Sequence, residues 1–277
     1  MKTSLVCSLA VVLLAPSCAT AQQSVDTLSR SNCVRILINK KDPAGSGFFL
    51  DDRHIATCFH VVTKKYALQV QSNVVMKLDW EPHPDLWIEL ENGDKIEAAF
   101  LSVPTKQDVT PIIHDFAVLK LKQPPTQKGL GLNFYTKPRM PGVGADVYFS
   151  GYPLGCPTML THKGRISGID KAKSIICIQA PVNKGNSGGA LLTSEGELIG
   201  ILSMREGGIT KKLDQTRDYY LKMKGKMASM SIGGINPVDI SIETINVIDA
   251  YISTGIGYAR NAKYLRAYLS RHPLAKE

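Results

Sequence analysis

Residues 124–144 read PPTQKGLGLNFYTKPRMPGVG, with prolines at Pro124, Pro125, Pro138 and Pro141 and glycines at Gly129, Gly131, Gly142 and Gly144. Pro and Gly at this density punctuate elements rather than fill them. The stretch therefore reads as a connector, and what lies on either side of it sets the fold. Upstream, short runs with β-branched or aromatic residues predict strands at 33–39, 48–51, 55–62, 66–70, 87–91, 95–103 and 116–121. No helical period stands out between 33 and 121. Downstream, a second series is expected at 145–150, 164–169, 174–180, 189–193, 198–204 and 255–259. Two strand-rich halves joined by a Pro/Gly segment point to an all-β chain of two small barrels or sandwiches packed together. The strands are too short and helices too scarce for a doubly wound α/β sheet. The halves divide as 22–130 and 131–277. Residues 206–252 interrupt the second as an insertion, read as a long loop with one short helix. Residues 262–270 carry Ala262, Leu265 and Leu269 at helical spacing, and Pro273 marks the end of that terminal helix.

The chain has 277 residues, of which 44% are apolar and 21% charged, an ordinary globular mixture. This excludes disorder throughout and a collagen-like repeat. Residues 1–21 have the plan of a secretory signal peptide: a basic start at Lys2, an apolar core over 6–15, and Ala19-Thr20-Ala21 before a cut at Gln22. An exported chain, periplasmic or extracellular, is the expectation. Outside the leader no apolar run approaches the roughly 18 residues of a membrane span. The formal charge of +9 helps solubility and steers acidic partners. Without zinc-finger spacing, aromatic-basic interleaving or an arginine-rich arm, it does not point to nucleic acid. Past the leader stand Cys33, Cys58, Cys156 and Cys177. An even number in an exported chain allows up to two disulfides; four buried thiols is the other reading.

Three segments carry chemistry: Ile55-Ala56-Thr57-Cys58-Phe59-His60-Val61-Val62, His114-Asp115-Phe116-Ala117-Val118, and Lys184-Gly185-Asn186-Ser187-Gly188-Gly189. A serine hydroxyl is a poor nucleophile at neutral pH and needs a base with a pKa near 7, which imidazole supplies. The imidazole in turn needs a buried carboxylate to orient it and stabilise its cation. Glycines around the serine let the backbone turn tightly and aim amides at one point, where a developing oxyanion sits. The three together predict Ser187 as nucleophile, His60 as base and Asp115 as its orienting carboxylate. The amides of Gly185 and Ser187 are the expected oxyanion donors. No phosphate-loop, dinucleotide or zinc pattern appears, so no cofactor and no metal are expected.

These segments resemble those of the trypsin/chymotrypsin-like serine peptidases, nearest the HtrA/Deg branch. The likeness extends to Gly257-Tyr258-Ala259 followed by a helix, and runs from about residue 31 to 271 with 206–252 inserted. It implies two packed antiparallel β-barrels with the site in the cleft between them, His60 and Asp115 from the first and Ser187 from the second. It implies a serine endopeptidase acting on polypeptides, and it admits a homo-oligomer. Ser203 matches the strand whose backbone pairs with extended substrate. Pro181, six residues before Ser187, puts no charge in the specificity pocket, and Leu202 and Met204 flank that pocket, so small or medium apolar residues are expected at the cut site. Two departures stand out. Lys184 occupies a position where HtrA-type enzymes usually carry Pro, and only a short tail, too small for a PDZ module, follows the last helix. The competing reading is a latent or non-catalytic binding protein on the same scaffold, which would use the basic stretch from Lys211 to Lys226.

Overall fold

A computed structural model describes residues 24–71, 74–102, 114–127, 129, 131–153, 156–205, 211–224, 236–251 and 255–274. The expected leader, and the basic stretch beyond Lys224, lie outside them.

The chain opens on helix α1 (Val25–Asn32), whose N-cap Ser24 hydroxyl accepts from the Thr27 N–H. Eight strands follow: β1 (Cys33–Ile38), β2 (Asp42–Phe49), β3 (His54–Thr57), β4 (Thr63–Gln71), β5 (Val74–Pro82), β6 (Leu86–Glu89), β7 (Lys95–Ser102) and β8 (Ala117–Leu121), with a four-residue helix α2 (Phe59–Val62) between β3 and β4. Six of these strands close a barrel in the order β1-β2-β3-β8-β7-β6, while β4 and β5 form a separate two-stranded ribbon. The second half supplies β9 (Asp146–Gly151), β10 (Leu160–Asp170), β11 (Ile175–Gln179), β12 (Ala190–Thr193), β13 (Leu198–Arg205) and β14 (Ile256–Asn261). They close a second barrel in the order β10-β11-β14-β13-β12-β9. Every pairing within the two barrels is antiparallel. Closure removes the sheet edges that would otherwise need covering.

Each barrel has its own apolar interior. Ile36, Phe48, Ile55, Ile88 and Leu119 fill the first, and Val147, Phe149, Ile178, Leu191 and Leu202 the second. The terminal helix α5 (Lys263–Arg271) leaves the second barrel and lays Leu265 and Tyr268 into the core of the first. The expected two-barrel, all-β architecture with a C-terminal helix is the observed one.

Three expectations change. The strand foreseen over 55–62 ends at Thr57, and Phe59–Val62 turns into α2. Phe59, Val61 and Val62 are all buried, and an apolar run buried on more than one side has no period that separates strand from helix. The insertion is not chiefly a loop. It carries α3 (Lys211–Met223) and α4 (Pro237–Tyr251), which pack on each other. Finally, no disulfide joins any two of the four cysteines past the leader. Cys33 is buried with Tyr152 and Met159, Cys58 donates to the Leu202 carbonyl at 3.0 Å, and Cys177 lies in β11 opposite Tyr258.

Candidate active site

His60 sits in the middle of α2, directly after β3. The Cys58 backbone is still extended and the helical turn begins beyond it, which lifts the imidazole off the barrel wall. The His60 side chain is about a third exposed, 36%. Asp115 precedes β8, the strand that pairs with β3, so the two residues reach the same end of the same barrel. Asp115 has φ of 43°, a left-handed conformation that Asp tolerates better than most residues. Its carboxylate accepts from the His60 N–H at 3.1 Å and lies 2.8 Å and 3.0 Å from His60 Nδ1. Two rings of α5 flank this segment: His114 stacks edge-on against Tyr264, and Phe116 meets Tyr268 in the same way.

The electrostatics follow from that geometry. Burial pushes the Asp115 carboxyl up, but the facing His60 and the hydrogen bonds from His60 and Ser203 outweigh it and hold the carboxyl below its ordinary value. For His60, desolvation pushes the pKa down, yet the Asp115 charge and hydrogen bond prevail and the net shift is upward. Cys58 is the buried neighbour of both. Its Sγ, with donor atoms of His60 and Asp115, falls in a group whose members lie within 4.8 Å of one another. By type these could hold a borderline-soft cation. Each is already engaged, however, and burial, then the Asp115 charge, push the Cys58 thiol well above its usual range. The arrangement is that of a hydrogen-bonded dyad beside a protonated thiol.

Ser187 belongs to the second barrel, in the turn-rich segment between β11 and β12. Asn186 N–H closes a turn onto the Asn183 carbonyl at 3.1 Å, across Lys184 and Gly185. Gly185 and Gly188 adopt φ of 96° and 92°, which L side chains rarely reach. Among the described residues neither the Gly185 N–H nor the Ser187 N–H donates to a protein acceptor.

The first barrel clamps this segment through Ser46. Its N–H donates to the Ser187 carbonyl at 2.8 Å, and its hydroxyl donates to the Gly185 carbonyl at 2.7 Å while accepting from Tyr152 N–H at 2.9 Å. Approach is so close that a Cβ on Gly45 would stand 2.9 Å from the Ser187 carbonyl oxygen. Ser46 is not among the site residues expected from the sequence. Its signal was the pair of flanking glycines in Gly45-Ser46-Gly47, the mark of a backbone that another chain segment approaches.

Ser203 joins the two halves. Register between β13 and β14 shifts between Leu202 and Met204, so Ser203 is the extra residue of a bulge, a device that re-aims a side chain. The Ser203 hydroxyl donates to Asp115 Oδ2, and the Ser203 carbonyl accepts from the Ser187 hydroxyl at 3.1 Å. His60, Asp115 and Ser187 are thereby brought together in one hydrogen-bonded network. Of the remaining residues expected at the site, Leu202 is wholly buried in the second-barrel core. Pro181 is exposed on the wall of a cavity of about 540 Å³, shared with Lys163, Gln179, Ala180, Gly255 and Ile256. The Met204 side chain lies outside what the structure describes.

A trypsin-like peptidase domain profile matches residues 45–201, more than half of the chain, and the chain belongs to that family. Within it, the chain is related to the HtrA and DegP serine endoproteases. It is 31% identical over 166 residues to a probable periplasmic DegP-like serine endoprotease of Buchnera aphidicola, covering 57% of this chain and 30% of that protein. It is 28% identical over 166 residues to serine protease HTRA3 of Homo sapiens (58% of this chain, 33% of that one). With serine endoprotease DegS of Haemophilus influenzae it shares 29% over 156 residues, covering 53% of this chain and 39% of the relative. The aligned part thus spans about a third of each relative. Among solved structures, the inactive form of the Rv3671c protease superposes with a TM-score of 0.52 at 17% identity, covering 90% of this chain and 93% of that one, a likeness of fold.

Proposed function

We propose that this chain is a serine endopeptidase that hydrolyses polypeptides through an acyl-enzyme. The observation that carries the reading is the network in which Ser203 links Ser187 to the Asp115–His60 dyad across the two barrels. In the proposed reaction the Ser187 hydroxyl turns from the Ser203 carbonyl toward His60 and attacks a peptide carbonyl carbon. His60 Nε2 takes the hydroxyl proton, and Asp115 stabilises the resulting imidazolium. The N–H groups of Gly185 and Ser187 receive the oxyanion; that neither has an acceptor among the described residues supports that role. His60 then protonates the leaving amine, the acyl-enzyme remains on Ser187, and water activated by His60 releases it. Catalytic hydrogen bonds are often loose without substrate, so the present direction of the Ser187 hydroxyl agrees with this sequence of events.

Extended substrate would pair with β13. Pairing with β12 ends at Ile201, and among the described residues no strand pairs with β13 past Leu202 on that side, which supports a peptide strand there. At the cut site Pro181 brings no carboxylate that would select Arg or Lys, which supports small or medium apolar side chains. An exported setting, periplasmic or extracellular, is part of the proposal. It is supported by the leader-like start of the chain and by relatives named as periplasmic endoproteases. No helix among the described residues is long and apolar enough to cross a membrane.

Incubation with an unfolded protein substrate tests the reading. The expected result is cleavage after apolar residues that Ser187→Ala abolishes. Equal fragments from the wild type and Ser187→Ala would overturn it.

A further inference from the structure

Lys184 immediately precedes Gly185, the expected oxyanion donor. Its ammonium pairs with Asp249 on α4. The Asp249 side chain is only 12% exposed and also meets the Arg217 guanidinium of α3 at 3.4 Å, while Arg217 pairs in turn with Asp214. One carboxylate of the insertion therefore gathers a cation from α3 and a cation from the segment that carries the nucleophile.

Elsewhere in that segment the side-chain anchors are Val182 in the second-barrel core and the Ser187 hydroxyl on the Ser203 carbonyl. Asn186 is wholly buried, yet neither atom of its amide group has a hydrogen-bond partner. The backbone ties from Ser46 reach the carbonyls of Gly185 and Ser187. They do not touch the peptide between Lys184 and Gly185, which supplies the Gly185 N–H. In a four-residue turn the central peptide can face either way; type I and type II turns differ mainly by that flip. A positive φ at the third position, as Gly185 has here, belongs to the type II choice. The Lys184 side chain springs from the first residue of that peptide, so fixing its far end biases the choice.

We propose that Asp249 is a positioning residue for the oxyanion segment, acting through Lys184, and that the α3–α4 insertion is thereby coupled to acylation at Ser187. The inference rests on the peptidase reading for its kinetic consequence, though not for the structural coupling. Loss of an oxyanion donor costs roughly 10²–10³-fold in kcat. Loss of a tether that only biases one costs less, about tenfold on the same scale.

The experiment compares the full chain with Asp249→Ala, Asp249→Asn, Lys184→Ala and the Lys184→Ala/Asp249→Ala pair. The expected result is a kcat lower by about tenfold in each single variant with KM changed less than about twofold, and a double variant no worse than either single one, as for two residues in one interaction. Raised salt, which screens half-exposed charges, is expected to lower the wild-type kcat toward that of Asp249→Asn and leave the variant unchanged. Hydrogen exchange supplies a readout independent of activity: amides of 182–189 exchange faster in Asp249→Asn and in Lys184→Ala, which changes only a half-exposed side chain. Unaltered exchange in both would overturn the coupling, as would variants with wild-type or higher kcat. If the wild type is inactive but the exchange changes as expected, the peptidase reading fails and the coupling stands.

Discussion

The Ser203 hydroxyl donates to the Asp115 carboxylate across the junction of the two barrels. A carboxylate buried to 6% exposure needs such donors, since an unsatisfied buried charge is costly. It receives them from the His60 backbone, the His60 ring and Ser203. Ser203→Ala removes one. Hydrogen bonds to charged groups contribute about 1.5–3 kcal/mol, and urea unfolding of Ser203→Ala is expected to show a loss in that range. Unchanged stability would mean that the Ser203 donor is replaced by solvent.

Asp115 also sets the working pH. The base form of His60 is neutral, and Asp115 raises its pKa above the ordinary 6.5. Neutral imidazole is then populated only above that raised value, so kcat/KM is expected to rise with pH through an apparent pKa above 6.5 and level off beyond it. Asp115→Asn removes the charge that raises it. The acidic limb is expected to move to lower pH while the plateau falls by about 10⁴-fold, the cost of a misoriented imidazole. A pH–rate profile of both proteins checks the two effects separately.

Ser46→Ala leaves the first barrel with one grip fewer on the nucleophile segment. The Gly185 carbonyl and the Tyr152 N–H each lose their partner, and buried groups left unsatisfied cost about 1–3 kcal/mol apiece. Chemical denaturation is expected to show a loss of at least that size, with slower acylation of Ser187.

Gly188 has no room for any side chain. A Cβ there would stand 2.0 Å from the Ser46 carbonyl and 2.3 Å from Thr57 Oγ1, at a φ of 92°. Gly188→Ala combines backbone strain with overlap against backbone and is expected to cost more than about 3 kcal/mol. Thermal unfolding and soluble yield measure it; a well-folded variant of near wild-type Tm would contradict the packing described.

What could be read from the sequence and what could not divides along physical lines. The His, Asp and Ser segments were legible because each joins a reactive side chain to an apolar strand or a glycine-bearing turn, and those signals are local. Ser203 was read only as a substrate-pairing position. Its turn toward Asp115 depends on a bulge set by the pairing of β13 with β14, a partner about 55 residues away along the chain. Ser46 was hidden for a similar reason, since its partners Gly185 and Tyr152 lie in the other barrel. Helices α3 and α4 escaped notice because they pack mainly on each other and leave Leu213, Leu221, Ile240 and Val247 exposed. In α4 the buried stripe Val238, Ile242 and Ile245 is matched by apolar Ile240, Val247 and Ile248 on the exposed side, which blurs the period that marks a helix.

The central claim is that Ser187 is an activated nucleophile beside a formed oxyanion site. A fluorophosphonate probe reacts covalently only with such a serine. The chain, labelled at pH 8 and digested, is expected to carry the probe on Ser187, with labelling lost in Ser187→Ala and strongly reduced in His60→Ala. A folded wild-type chain that takes up no probe, or takes it up equally with Ser187 replaced, would contradict the account.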